Sequence, residues 1–280
     1  MIIQSPGQLA KWRQLKYWNR THSKEQGYFI MNVIGKTIVI TGGAGGLGSA
    51  MAKLLAANGA VICIFDLDSK KGDEVVQEIL SSGGKACFKK VDLIREEEWQ
   101  AAMKEVLAET GRLDVLVNNA GINIRKPIEE MSIDEWNTMM SVNTGSTFLG
   151  CKYAIPIMRK LGGGAIINTS SVCGLIGHKY TPEAYTATKG AITLFTKSVA
   201  ARYAKDGIRC NSIHPSTVDT PLVQVLFKDP EKKKQRLDEV PLGRLATAED
   251  VANAVLYLAS EEAKFINGIA LPVDGGVTCC

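Results

Sequence analysis

The segment that most restricts the fold is Thr37-Ile38-Val39-Ile40-Thr41, followed at once by Gly42-Gly43-Ala44-Gly45-Gly46-Leu47-Gly48. A short β-branched run reads as a buried strand, and the amphipathic stretch Ser49 to Asn58 reads as a helix beginning near Leu47. Glycine is needed where the backbone turns tightly and where another group must approach without a Cβ in the way. Strand, glycine turn and helix in this order open a crossover unit, with the helix amino terminus offering free N–H groups and partial positive charge.

The same rhythm continues to the end of the chain. Strand candidates are Thr37 to Thr41, Ala60 to Asp66, Ala86 to Val91, Leu113 to Asn118, Gly164 to Thr169, Ile208 to Ile213 and Ile269 to Val273. Amphipathic stretches such as Ser69 to Leu80 lie between them, with longer helical patterns at Ser132 to Leu161 and Glu183 to Lys205. Repeated strand–helix alternation requires crossovers, hence an α/β domain with a parallel sheet covered on both faces. No repeat or low-complexity linker divides residues 31–280, which read as a single domain. Residues 1–30 stand outside the rhythm. Leu9, Trp12, Leu15 and Trp18 recur every three residues among basic side chains, the pattern of a short amphipathic, targeting or membrane-surface helix. The reading preferred here is a disordered extension or a start site placed too early, since Met31 directly precedes the domain.

Charge and cysteine usage narrow the partners. Residues 1–30 carry five basic side chains against Glu25 alone, so the rest holds 28 basic and 28 acidic residues. A neutral body gives no electrostatic case for nucleic acid, and no run reaches the ~18 apolar residues of a membrane span. Seven cysteines (63, 87, 151, 173, 210, 279 and 280) show no CxxC spacing. They read as free thiols of a reducing, cytoplasmic compartment, with no disulfide framework and no metal site. Cys279-Cys280 lacks the C-a-a-X form of a prenylation signal and reads as a frayed tail.

Within this frame the glycine turn suits a dinucleotide pyrophosphate. It is spaced Gly-x3-Gly-x-Gly, and no Gly-Lys-Ser/Thr follows to make a P-loop. Asp66 ends the second strand 18 residues after Gly48. A carboxylate there can accept both adenosine ribose hydroxyls and repel a 2′-phosphate, which favours NAD over NADP. Leu67 and Gly45 supply no cation for that phosphate; the competing role for Asp66 is a cap on the helix at Ser69. Farther on, Tyr185 and Lys189 are four apart in a helical pattern and share a face. A free tyrosine, with a pKa of about 10, is a poor base; a neighbouring ammonium favours the phenolate, ~3 units corresponding to about 4 kcal/mol.

Together these segments resemble a short-chain dehydrogenase/reductase over roughly residues 33 to 276. The resemblance rests on Thr41-Gly42-x3-Gly46-x-Gly48, Asp92-Leu93, Asn118-Asn119-Ala120-Gly121, Asn143, Ser171 and Tyr185-x3-Lys189, in that order. It implies a doubly wound Rossmann-type domain with a mostly parallel seven-stranded sheet, assembled as a homotetramer or homodimer. It implies Tyr185 as general acid/base, Lys189 on the nicotinamide ribose and lowering the Tyr185 pKa, Ser171 on the substrate oxygen, and Asn143 holding a relay water. Cofactor contacts are expected from Gly42, Gly45, Gly46, Leu47, Gly48, Asp66, Asp92, Leu93, Asn119, Ala120, Gly121, Tyr185, Lys189, Val218 and Thr220.

Two departures stand out. Pro215-Ser216 replaces the family's Pro-Gly, and the Ser171 to Tyr185 interval is one residue longer than in many members, within Gly177 to Pro182. His178 and His214 read as lining or structural residues. A substrate loop is expected between Ser216 and Arg244, apolar at Leu222, Val223, Val225, Leu226 and Phe227 and charged at Lys228 to Arg236. The expected activity is hydride transfer between NAD(H) and a secondary alcohol or ketone, on a cyclic, steroid or sugar-like small molecule. A 3-oxoacyl-thioester reductase and a non-catalytic NAD-binding regulator are the alternatives. The intact Asn143, Ser171, Tyr185 and Lys189 set argues against the second.

Overall fold

In the computed structural model, residues 31–220, 223–224 and 227–279 are described. The amphipathic pattern of residues 1–30 and the apolar positions Leu222, Val225 and Leu226 lie outside them. Seven strands, β1 (Thr37–Thr41), β2 (Val61–Asp66), β3 (Lys85–Lys90), β4 (Val115–Asn118), β5 (Gly164–Thr169), β6 (Ile208–Pro215) and β7 (Ala270–Val273), pair side by side. Their order is β3-β2-β1-β4-β5-β6-β7, every pairing parallel. The Rossmann-type expectation holds, with a sheet wholly parallel among the described residues. β6 extends past the expected Ile213, because His214 and Pro215 stay in register with Pro272 and Val273.

The helices are α1 (Gly46–Ala57), α2 (Ser69–Ser81), α3 (Glu96–Thr110), α4 (Ile133–Met139), α5 (Ser146–Lys160), α6 (Glu183–Tyr203), α7 (Pro230–Asp238) and α8 (Ala248–Ala259). Val39, Leu116, Ile166 and Cys210 of the strands join Trp99 and Met103 of α3 and Met158 of α5 in one buried cluster. Ile38, Ile40, Ile62 and Ile64, on the alternate positions, are equally buried, so both sheet faces are covered. Trp99 closes the cluster edge-on to Phe65 at 5.7 Å, its indole N–H donating to Leu93 O at 2.9 Å.

Local chemistry sets the helix starts. Ser132 and Glu135 form a capping box on α4, and Thr247 and Asp250 do so on α8. The expected continuous helix from Ser132 to Leu161 is instead split by a π-helical turn, Met140–Gly145. One extra residue per turn re-aims the chain there, as π-bulges commonly do near functional sites. Asn143 lies in that turn, fully buried.

Candidate active site

Strand order reverses between β1 and β4, so their following loops part and leave a cleft beyond the carboxyl ends of the strands. That cleft has a volume of about 490 Å³, with Gly42, Gly45, Asp66, Asp92, Asn119 and Gly121 on its walls. Leu47, Leu93 and Ala120 complete the expected residues that line it. Gly46 and Gly48 act on its shape instead. Gly46 adopts φ +54°, a left-handed conformation that suits glycine. A Cβ on Gly48 would stand 2.1 Å from Gly42 O and 2.8 Å from Asn119 Nδ2. Asn119 braces the loop by donating to Thr41 O and Gly42 O, while the Thr41 hydroxyl receives the N–H groups of Asn119 and Ala120.

The α1 amino terminus opens at Gly45 with no side-chain cap. Its N–H groups are available to phosphate oxygens, as the glycine turn suggests. Asp66 does not cap α2: that role falls to Asp68, which accepts from Lys71 N. The Asp66 carboxylate instead accepts from Ala44 N at 3.0 Å and Asp68 N at 3.1 Å, fixing it at the cleft edge. Sequence reasoning missed the cleft's apolar rim, Leu67, Ile94 and Ile122, whose side chains stay exposed. A large apolar residue directly after a strand-end acid was the available signal.

At the carboxyl end of β5, Ser171 begins a 3-10 turn and its hydroxyl accepts from Cys173 N. Tyr185 and Lys189 lie on one face of α6, with Lys189 Nζ 5.5 Å from the tyrosine ring centroid. Lys189 is buried and donates to Thr169 O at 2.8 Å. A Cβ on Gly121 would lie 3.1 Å from Asn143 Oδ1 and 3.5 Å from Lys189 Nζ, which sets these three side by side. The Asn143 amide is taken up by Ile122 N, Ile122 O and Thr188 Oγ1. Its side chain thus pins the loop after β4, a role the sequence did not reveal.

In the protein without cofactor, burial dominates the electrostatics of this pair. Burial pushes the Tyr185 phenol up to about 12, against opposing effects of the Ser171 hydroxyl and the Arg125 charge. Burial also lowers Lys189 to about 8. In the protein alone, desolvation therefore outweighs the pull of the Ser171 hydroxyl and the Arg125 charge on the phenol.

His178 and His214 are structural in geometry. Buried His214 donates from Nδ1 to Ser171 O and accepts at Nε2 from Ser212 Oγ, both 2.8 Å, and burial lowers its pKa. His178 shares Glu239 with Arg236 of α7. Val218 and Thr220 follow β6 outside the cleft lining; Val218 pairs with Ala246.

Comparison with known proteins identifies the family. A family model described as enoyl-(acyl carrier protein) reductase matches residues 42–278. Cyclopentanol dehydrogenase of Comamonas sp. (strain NCIMB 9872) is 43% identical over 243 residues, covering 87% of this chain and 97% of its own. The chain belongs to the short-chain dehydrogenase/reductase family.

As a short-chain dehydrogenase/reductase it is an oxidoreductase that acts on CH–OH groups with a nicotinamide cofactor. Trans-4-hydroxycyclohexanecarboxylate dehydrogenase of Sinomonas cyclohexanicum is 39% identical over 249 residues, covering 87% of this chain and 93% of its own. A crystal structure from Beutenbergia cavernae, provisionally named an NAD(P) dependent gluconate 5-dehydrogenase and holding NADP at low occupancy, superposes with a TM-score of 0.84 at 33% identity. It covers 89% of this chain and 99% of its own. The residues fit a dinucleotide: an uncapped helix end, a side-chain-free glycine wall and a fixed carboxylate face one cleft. Where family members usually have glycine, Ser216 places a buried hydroxyl with no partner among the described residues beside the end of β6.

Proposed function

We propose that this chain is an NAD-dependent dehydrogenase of cyclic secondary alcohols, working reversibly on the matching ketones. The observation that carries the reading is Tyr185 beside Lys189 and Ser171 at the end of β5, next to the cleft edged by Asp66. The names of the two sequence relatives, both dehydrogenases of ring alcohols, support the substrate class.

Bound in the cleft, the nicotinamide ring supplies the hydride acceptor or donor. Asp66 would take the adenosine ribose hydroxyls and disfavour a 2′-phosphate. Gly42, Gly45 and the α1 amino terminus would receive the pyrophosphate, and Asp92 and Leu93 the adenine. Val218 and Thr220 would meet the carboxamide. Ser171 donates a hydrogen bond to the substrate oxygen. Tyr185 takes the hydroxyl proton during oxidation and returns it during reduction. Lys189 holds the nicotinamide ribose and adds its positive charge to that of the oxidised ring, so that both act against the burial that raises Tyr185. Asn143 holds the loop that walls Lys189, and a water on that turn would connect the lysine to solvent.

We also assign residues 31–280 to one catalytic domain that works in the cytoplasm. The domain would assemble as a homodimer or homotetramer through α5 and α6, where Phe148 and Leu194 are 50% and 69% exposed. Among the described residues, no helix is long and apolar enough to cross a membrane.

Tyr185→Phe tests the mechanism. It should lower kcat on a cyclic alcohol by on the order of 1000-fold with NADH affinity retained. Wild-type turnover by that variant would overturn it.

A further inference from the structure

We infer that Thr188 is a positioning residue for the proton-handling site: its buried hydroxyl ties Asn143 to the helix of Tyr185 and Lys189, and so sets the loop after β4 against that helix. This deepens the proposed roles of Tyr185, Lys189 and Asn143 and rests on them.

Thr188 lies on α6 three residues after Tyr185 and directly before Lys189, and it is fully buried. Its hydroxyl has one proton, which it donates to Tyr185 O at 2.8 Å. A carbonyl only accepts, so the hydroxyl offers lone pairs alone to its other neighbour, and it accepts from Asn143 Nδ2 at 3.1 Å. The next residue of the π turn reaches the same place, with Thr144 Oγ1 3.5 Å from Thr188 O. Two consecutive residues of Met140–Gly145 thus meet one residue of α6.

Asn143 carries the tie onward. Its Nδ2 also donates to Ile122 O at 2.9 Å, and its Oδ1 accepts from Ile122 N at 2.7 Å. The residue before Ile122 is Gly121, whose wall stands against both Asn143 Oδ1 and Lys189 Nζ. Without the Thr188 hydroxyl, Asn143 must turn or bear a buried N–H with no acceptor, and turning loosens its hold on Ile122.

A buried helical threonine can also bond back to its own helix for structural reasons alone. The same helix supplies that comparison. Thr196, equally buried, donates to Ile192 O at 2.8 Å and accepts from Asn168 Nδ2 at 2.9 Å. It repeats the Thr188 pattern, but its asparagine belongs to β5 and not to the π turn. If Thr188 only held the fold together, removing either hydroxyl would have the same consequence.

The test uses the full chain, NAD+ and a cyclic secondary alcohol. Thr188→Val keeps the shape and removes the hydroxyl; it should lower kcat by about 10-fold and leave alcohol KM and NADH affinity within about twofold. Thr188→Ser keeps the hydroxyl and should stay within about threefold of wild-type kcat. Thr196→Val should lower Tm and leave kcat within about twofold. A readout independent of turnover is hydrogen exchange at the Ile122 amide, which should speed up by about 10-fold in Thr188→Val and not in Thr196→Val. Thr188→Ala removes the same hydroxyl and carries both readouts where valine is not accommodated. Wild-type kcat or unchanged Ile122 exchange in Thr188→Val overturns the inference alone. Equal kcat losses in Thr188→Val and Thr196→Val, or in Thr188→Val and Thr188→Ser, overturn it as well, since the role would then be structural. A loss of NADH affinity as large as the loss of kcat also overturns it, because the hydroxyl would then serve the cofactor. If the wild type oxidises no cyclic alcohol, the secondary-alcohol reading falls, and Ile122 exchange alone decides whether Thr188 holds the loop.

Discussion

The two ends of the active site are built differently. At the proposed cofactor end, between β1 and β4, glycine conformations, the strand register and an uncapped helix terminus set the geometry, and the side chains that brace it, Thr41, Asp66 and Asn119, bond to backbone groups of the loops. At the substrate end, beyond β5 and β6, it is held by side chains far apart in sequence. Arg236 reaches His178 and Tyr180, more than fifty residues away, and His214 reaches Ser171 O across 43. A backbone-made site can serve every member of a family that shares a cofactor. A site made by side chains can be rewritten one residue at a time, which is where substrate choice resides.

The larger break in this comparison should come from the cofactor end. Gly48→Val places a side chain against Gly42 O and Asn119, where even a Cβ has no room. It should cost on the order of 100-fold or more in NADH affinity, read by fluorescence titration. Retained affinity would mean that the turn is not the phosphate cradle.

A smaller, selective effect is expected at the other end. Arg236→Ala removes the tie between α7 and the His178 to Pro182 segment. It should raise the alcohol KM by about 3- to 10-fold, the worth of one charge-assisted hydrogen bond, and leave NADH affinity unchanged. Equal losses in both would show that the two ends are one cooperative unit.

The same contrast explains what the sequence made legible. The strands were readable because β-branched runs bounded by glycine and acidic residues are local signals, and each candidate overlaps an observed strand. Tyr185 and Lys189 were readable because helical spacing puts them on one face. The π turn at Met140–Gly145 was not, since nothing in Met-Ser-Val-Asn-Thr-Gly marks an extra residue per turn. Asn143 was picked out, but its bonds to Ile122 and Thr188 depend on tertiary packing. The upward push on Tyr185 in the protein alone was not readable for a related reason: sequence spacing displays the ammonium nearby, whereas burial belongs to the folded cleft.

The account's central claim is an NAD-linked oxidation of a cyclic secondary alcohol, and kcat/KM for one such alcohol with NAD+ and with NADP+ tests it most directly. The account predicts NADH formation, with NAD+ at least tenfold better than NADP+, roughly the cost of setting a 2′-phosphate against Asp66. A preference for NADP+, or no reduction of either cofactor by any cyclic alcohol, would contradict it.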